Sequence, residues 1–127
     1  MDSLKSLALI SLLLTGCGTT MMITKLNNSP RPLEQRTPES VYIFMTGKPE
    51  KPYIEISLIT SQQASEFSND NTPQIIQKMR LEAAKQGCDA LIISGPNDAT
   101  VGSTNSRGTG SVTTLTGFHG ACIVYKD

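Results

Sequence analysis

The sequence predicts a small α/β (α+β) domain in which a mainly antiparallel sheet of about four strands packs against one principal helix and is stabilised by one disulfide. Three observations carry that expectation. Apolar and polar residues alternate over Tyr53–Thr60, and an unbroken apolar run covers Ala90–Ser94, as expected of a half-buried and a fully buried strand. Between them lies a helix signal, with Thr72-Pro73 at its start and Gly87 at its end. Beyond residue 17 the chain carries two cysteines, Cys88 and Cys122.

At the N-terminus, Lys5 and the amino group, offset by Asp2, precede the apolar run Leu7–Leu14, which is too short to span a bilayer. It ends in Leu14-Thr15-Gly16-Cys17, and this stretch resembles the signal of bacterial lipoproteins. The resemblance implies that residues 1–16 are a signal peptide. Cys17 is then the lipidation site, carrying a diacylglyceryl group on its thiol and an acyl chain such as palmitate on its new amino terminus. Such chains anchor at about 0.8 kcal/mol per buried methylene, and several together give lasting attachment. Gly18 stands where lipoproteins retained in the inner membrane often carry aspartate, so the resemblance implies the outer membrane, with the domain facing the periplasm.

Residues 17–40 read as a lipidated N-terminus followed by a flexible tether. Asn27-Asn28-Ser29-Pro30-Arg31-Pro32 and Pro38 dominate the stretch, and large apolar residues are few, which is poor material for a packed element. Extended, such a linker reaches up to roughly 70 Å. Met21, Met22 and Ile23 interrupt the polar character, and either lie on the bilayer surface, dock on the domain or form an incidental apolar patch. The folded domain is expected over 41–127.

Within it, Val41–Met45 and Tyr53–Thr60 should be strands. The turn-rich Thr46–Pro52 connector suggests that they are antiparallel neighbours, with Ile54, Ile56 and Leu58 on the buried face. Gln62–Asn71 is polar and reads as loop or irregular helix. The Thr72 hydroxyl is placed to cap a helix over 73–86, Pro73 fits its first turn, and Gly87 fits a left-handed end. Ile75, Ile76, Met79 and Ala83 share one arc of that helix; Lys78, Glu82 and Lys85 lie outside it, and Leu81 lies off it without explanation. Ala90–Ser94 should be a central strand. Residues 95–117 are rich in glycine, serine and threonine and read as a mobile loop holding at most a weak hairpin. The last strand covers Ala121–Tyr125, extended back through Phe118.

An oxidising compartment makes a Cys88–Cys122 disulfide the expected pairing, worth about 4 kcal/mol by the chain-entropy model. Two buried unpaired thiols, or a reactive or metal-binding pair, are the alternatives. His119, the one histidine, joins the cysteines in a hypothetical soft-metal site. In a strand, however, positions 119 and 122 face opposite sides, so no metal site is expected. The residue types of a thiol enzyme are also available as Cys122, His119 and Asp89 or Asn97. No nucleophile elbow or paired catalytic carboxylates accompany them, and Arg107-Gly108-Thr109-Gly110-Ser111 lacks the lysine of a phosphate loop. We therefore expect no enzyme and no cofactor. Eleven basic and eleven acidic residues balance, which argues against a nucleic-acid surface.

The stretch Met79-Arg80-Leu81-Glu82-Ala83-Ala84-Lys85-Gln86-Gly87-Cys88-Asp89-Ala90-Leu91-Ile92-Ile93 resembles a helix-to-strand element of two bacterial groups, the RcsF-like stress-sensor lipoproteins and the YbjQ-like envelope domains. The logic is physical: Gly87 ends the helix, Asp89 caps or turns the chain, and small Ala83 and Ala90 permit close packing. The chain departs from the RcsF pattern in having cysteines for one disulfide rather than two. The resemblance implies a non-enzymatic lipoprotein. Its domain would contact other envelope proteins, for sensing or within an envelope or secretion assembly. YbjQ-like domains add an alternative, a metal or small-ligand binding module, and they form oligomers, so a homo-oligomer is compatible with it. On general grounds the binding surface is expected in the loop Asn97–Gly117 and along the exposed edge of the first strand pair.

Overall fold

The structure is a computed structural model and describes residues 18–64, 70–104, 108 and 110–126. The expected signal peptide and Cys17 lie outside the described residues. The α+β class holds, with five strands in the main sheet and two more in a small hairpin.

In chain order the elements are β1 (Thr19–Lys25), a 3-10 turn (Pro38–Ser40), β2 (Tyr42–Phe44), β3 (Tyr53–Gln63), α1 (Thr72–Gln86), β4 (Ala90–Pro96), β5 (Ala99–Thr104), β6 (Gly110–Leu115) and β7 (Gly117–Tyr125). The main sheet runs β1-β3-β7-β4-β2, and β5 pairs with β6 alone. All neighbours are antiparallel except β2 and β4, which are parallel.

Helix α1 begins one residue earlier than the sequence suggests. Its cap is Asn71, not Thr72: the Asn71 carboxamide accepts the Gln74 backbone N–H at 3.0 Å, and the Gln74 side chain accepts the Asn71 N–H at 2.8 Å. This reciprocal pair satisfies two donors that a helix start leaves open. Gly87 ends the helix at φ +83°, as expected. A Cβ there would also sit 2.5 Å from the Glu34 carbonyl oxygen. The buried arc is the expected one, Ile75, Ile76, Met79 and Ala83, with Ala84 added, while Leu81 stays exposed.

That arc packs on one face of the sheet with Ile56, Ile59, Leu91, Cys122 and Val124. Gly120 lets it come close, because a Cβ there would lie 2.9 Å from both Met79 Cε and Leu91 Cδ1. Emptying such a site by Met79→Ala would cost on the order of 2–5 kcal/mol. The other face carries a smaller cluster of Ala90, Ile92, Ala121 and Ile123, flanked by Phe44, Tyr53 and Tyr125. Ala90 therefore packs away from the helix, and the close approach rests on Ala83 and Gly120.

Three further expectations are corrected. Strands β2 and β3 are not neighbours: β2 lies at one edge beside β4, and the connector between them spans the width of β4 and β7. Its end is tied down by Lys126 N–H donating to the Pro52 carbonyl at 3.1 Å, with the Lys51 ammonium 5.7 Å from the Tyr125 ring centre. Strand β7, not β4, is central. In β3 a register shift between Glu55 and Ser57 changes the phase, so Ile54, Ile56 and Ile59 face the helix while Leu58, paired with Ala121, faces the other side.

The largest correction concerns the segment read as a tether. Thr19–Lys25 forms a seven-residue strand paired along its whole length with β3, from Thr19 opposite Gln63 to Lys25 opposite Ser57. The folded domain thus begins at the start of β1 rather than at Val41. Threonine and isoleucine suit a pleated ladder, and the prolines that follow suit an extended return path. Residues 95–117, read as a mobile loop with room for a weak hairpin, do contain one, β5–β6.

Candidate functional site: the β1 edge and the groove beside it

Strand β1 is an edge of the main sheet, and beyond Lys25 the chain turns back along the helix side. Leu26 N–H donates to the Ile56 carbonyl at 2.9 Å, and the Asn27 amide donates to the Glu55 carbonyl at 2.8 Å. Farther on, the Arg31 guanidinium grips both carboxylate oxygens of Asp89 at 2.7 and 2.6 Å and donates to the Tyr125 carbonyl at 3.0 Å. Arg36 adds a bond to Asp89 at 2.7 Å and one to the Cys88 carbonyl at 3.2 Å, while its backbone N–H reaches the Ala84 carbonyl at 3.0 Å. The Tyr125 N–H completes the set on Asp89 at 2.9 Å.

Asp89 is therefore a clasp rather than the cap or turn residue expected. Burial alone would raise its pKa, but the hydrogen bonds from Arg31, the Tyr125 N–H and Arg36 outweigh that and hold it below the ordinary carboxylate value. At the opposite end of β1 a second ion pair joins Lys78 to Asp70 at 2.5 Å, and the Thr19 hydroxyl donates to the same carboxylate at 2.6 Å. The hydrogen bond from Lys78, followed by that from Thr19, lowers the Asp70 pKa.

Between β1, the returning chain and the end of α1 lies a groove of about 380 Å³. Ile23, Leu33 and Ile56 form its apolar floor; Lys25, Asn27, Asn28, Ser29, Ser57 and Gln86 supply polar groups. The Ser57 hydroxyl donates to Gln86 Oε1 at 2.6 Å. Gln86 Nε2 is buried and has no hydrogen-bond partner among the described residues. Along the adjoining edge Met22 is 67% exposed, Ile23 46% and Leu26 44%. Among the described residues this is a strand edge with no further strand beside it, flanked by apolar side chains and a pocket with one unspent donor. It suits an extended chain or a small amphipathic molecule.

The residues singled out in the sequence are placed differently. Cys88 and Cys122 are fully buried and disulfide-bonded, with Cα atoms 5.7 Å apart. His119 lies on the other face of β7, opposite Thr60, with Nδ1 3.4 Å from the Thr60 hydroxyl. Asn97 sits where β4 ends, donating to the Ser61 carbonyl and accepting from the Gln62 amide, both at 3.1 Å. Cys122, His119 and Asp89 or Asn97 are thus not assembled into one site. The thiols required by a metal-binding reading are joined to each other. The groove itself was not legible: its floor depends on Leu33, which the polar, proline-rich context assigned to a linker. The one available signal was the apolar Met21-Met22-Ile23 beside it.

No protein-family model and no curated protein matches this sequence. Among solved structures the chain is similar to the Francisella virulence factor FvfA in its orthorhombic crystal form. The identity is 10% and the TM-score 0.43, covering 86% of this chain and 99% of that one. A likeness of that size indicates nothing about activity or partners.

Proposed function

We propose that this chain is a non-enzymatic lipoprotein of the outer membrane, anchored through Cys17, whose periplasmic domain binds another envelope protein. The anchor reading rests on Leu14-Thr15-Gly16-Cys17 at the end of a short apolar run. The binding reading is carried by one observation: among the described residues strand β1 is an edge of the sheet, Met22, Ile23 and Leu26 are exposed along it, and Ile23 also lines the groove. An extended segment of a partner would add its backbone to the β1 ladder and set an apolar side chain into that groove.

A photo-crosslinking residue at position 23, in cells, tests this. We expect a discrete adduct with one envelope protein that disappears when Met22 and Leu26 are changed to Glu, and no adduct from the same residue at Lys85 on the outer face of α1. Equal labelling from both positions, or none from position 23, overturns the reading. A second reading, a small-ligand module, has its own observation in the unpaired Gln86 Nε2. A ligand carrying a hydrogen-bond acceptor would raise the melting temperature of the wild type and leave Gln86→Leu unmoved.

A further inference from the structure

We propose that the end of the sheet bearing Gly18 rests directly on the lipid headgroups, so that the domain stands on the membrane instead of being held away from it. This rests on the lipid-anchor reading above and adds an orientation to it. The argument starts from chain length. Cys17 is the residue before Gly18, so their Cα atoms are about 3.8 Å apart. Gly18 is already part of the fold: its carbonyl accepts the Ala64 N–H at 2.7 Å, and the next residue, Thr19, is bonded to Asp70. A lipid on Cys17 leaves no slack between bilayer and domain.

The fold then dictates what else lies at that level. Gln63, at the end of β3, is paired with Thr19 and holds the Asp70 carbonyl at 2.8 Å, which places the start of α1 there. Gln63 also bonds Thr116, and Asn97 N–H donates to the Gly117 carbonyl, so β4 ends and β7 begins at the same level. The β5–β6 hairpin leaves the sheet between those two points. Among the described residues this end carries Gly18, Thr19, Gln63, Asp70, Asn71, Thr72, Lys78, Asn97 and Asp98, with only Ala64, Pro73 and Pro96 as apolar neighbours. Such a surface suits hydrated headgroups and not hydrocarbon. The opposite end, with Lys25, Asp89 and the groove, stands roughly 20 Å farther out, the length of the seven-residue β1.

The chain has no tryptophan, so an introduced one is a unique fluorescent reporter. Mature, full-length protein carrying Thr72→Trp, Met22→Trp or Lys126→Trp would be reconstituted in vesicles containing headgroup-nitroxide lipid, after melting curves confirm each fold. Mass spectrometry of the same samples reads the lipid on Cys17 independently. We expect quenching to be strongest for Thr72→Trp, weaker for Met22→Trp and near zero for Lys126→Trp. A lipidated protein in which Met22→Trp is quenched most lies on its β1 edge, and one in which none is quenched is held off the bilayer; either result overturns this orientation and leaves the anchor standing. A mature chain without lipid on Cys17 overturns the anchor reading itself.

Discussion

Where α1, β4 and β7 meet, Met79, Leu91, Cys88 and Cys122 are fully buried and a covalent bond crosses the contact. The segment Gly18–Ser40 is held differently. It contributes the partly buried Met21 and Leu33 to the core, and otherwise depends on the β1–β3 ladder and on charged hydrogen bonds at each end, Asp89 with Arg31 and Arg36 and Asp70 with the Thr19 hydroxyl. Two parts of one domain thus answer to different solution variables. The centre responds to reductant, the N-terminal segment to acid and salt.

The largest effect should come from the centre. Replacing both Cys88 and Cys122 by Ala removes a cross-link spanning 34 residues, which constrains the unfolded chain by about 4 kcal/mol. Urea denaturation should show that loss as one cooperative transition, and reductant should then leave the variant unchanged. Two separate transitions would mean that the centre and the N-terminal segment unfold independently.

Asp89→Ala comes next. It strands Arg31, Arg36 and the Tyr125 N–H at once, for which we expect a loss of about 2–3 kcal/mol. Hydrogen exchange should quicken over residues 31–36 while Cys122 and Ile123 stay protected. Uniform acceleration would place the clasp in the core rather than beside it.

Acid should reproduce that opening without mutation. Both Asp89 and Asp70 sit below the ordinary value of 3.8 when folded, so the folded state favours their ionised forms. Their contribution is fully present above that value and is lost as pH falls through the lower folded values. A pH titration followed by amide signals should move the 18–40 segment below about pH 3.8, before the disulfide-bonded centre. Lys78→Met should have the smallest effect, a slight drop in melting temperature at low salt that shrinks in high salt, because the lysine end of the pair is partly solvated and so screened.

Local chemistry made much of the fold legible. The Ile75, Ile76, Met79 and Ala83 arc and the Gly87 terminus specify α1 through spacing and backbone freedom, and the apolar run Ala90–Ser94 specifies β4. The cap slipped from Thr72 to Asn71 because Asn71 has Gln74 three residues on, a pairing that satisfies both backbone donors. The candidate groove was opaque for a different reason. Leu33 and Ile23 become a floor only when Arg31 and Arg36 reach Asp89, more than fifty residues away in sequence.

By itself the sequence determined the helix, the apolar strands and the pair of cysteines available to cross-link them, since each depends on neighbours a few residues apart. Only the tertiary structure decided that β1 joins the sheet, that β2 runs parallel to β4 at the far edge, and that the bulge in β3 turns Leu58 away from the helix. Those outcomes depend on which backbone ladders and which distant charges find each other. A proline-rich, polar stretch carries no local mark of the partners waiting for it.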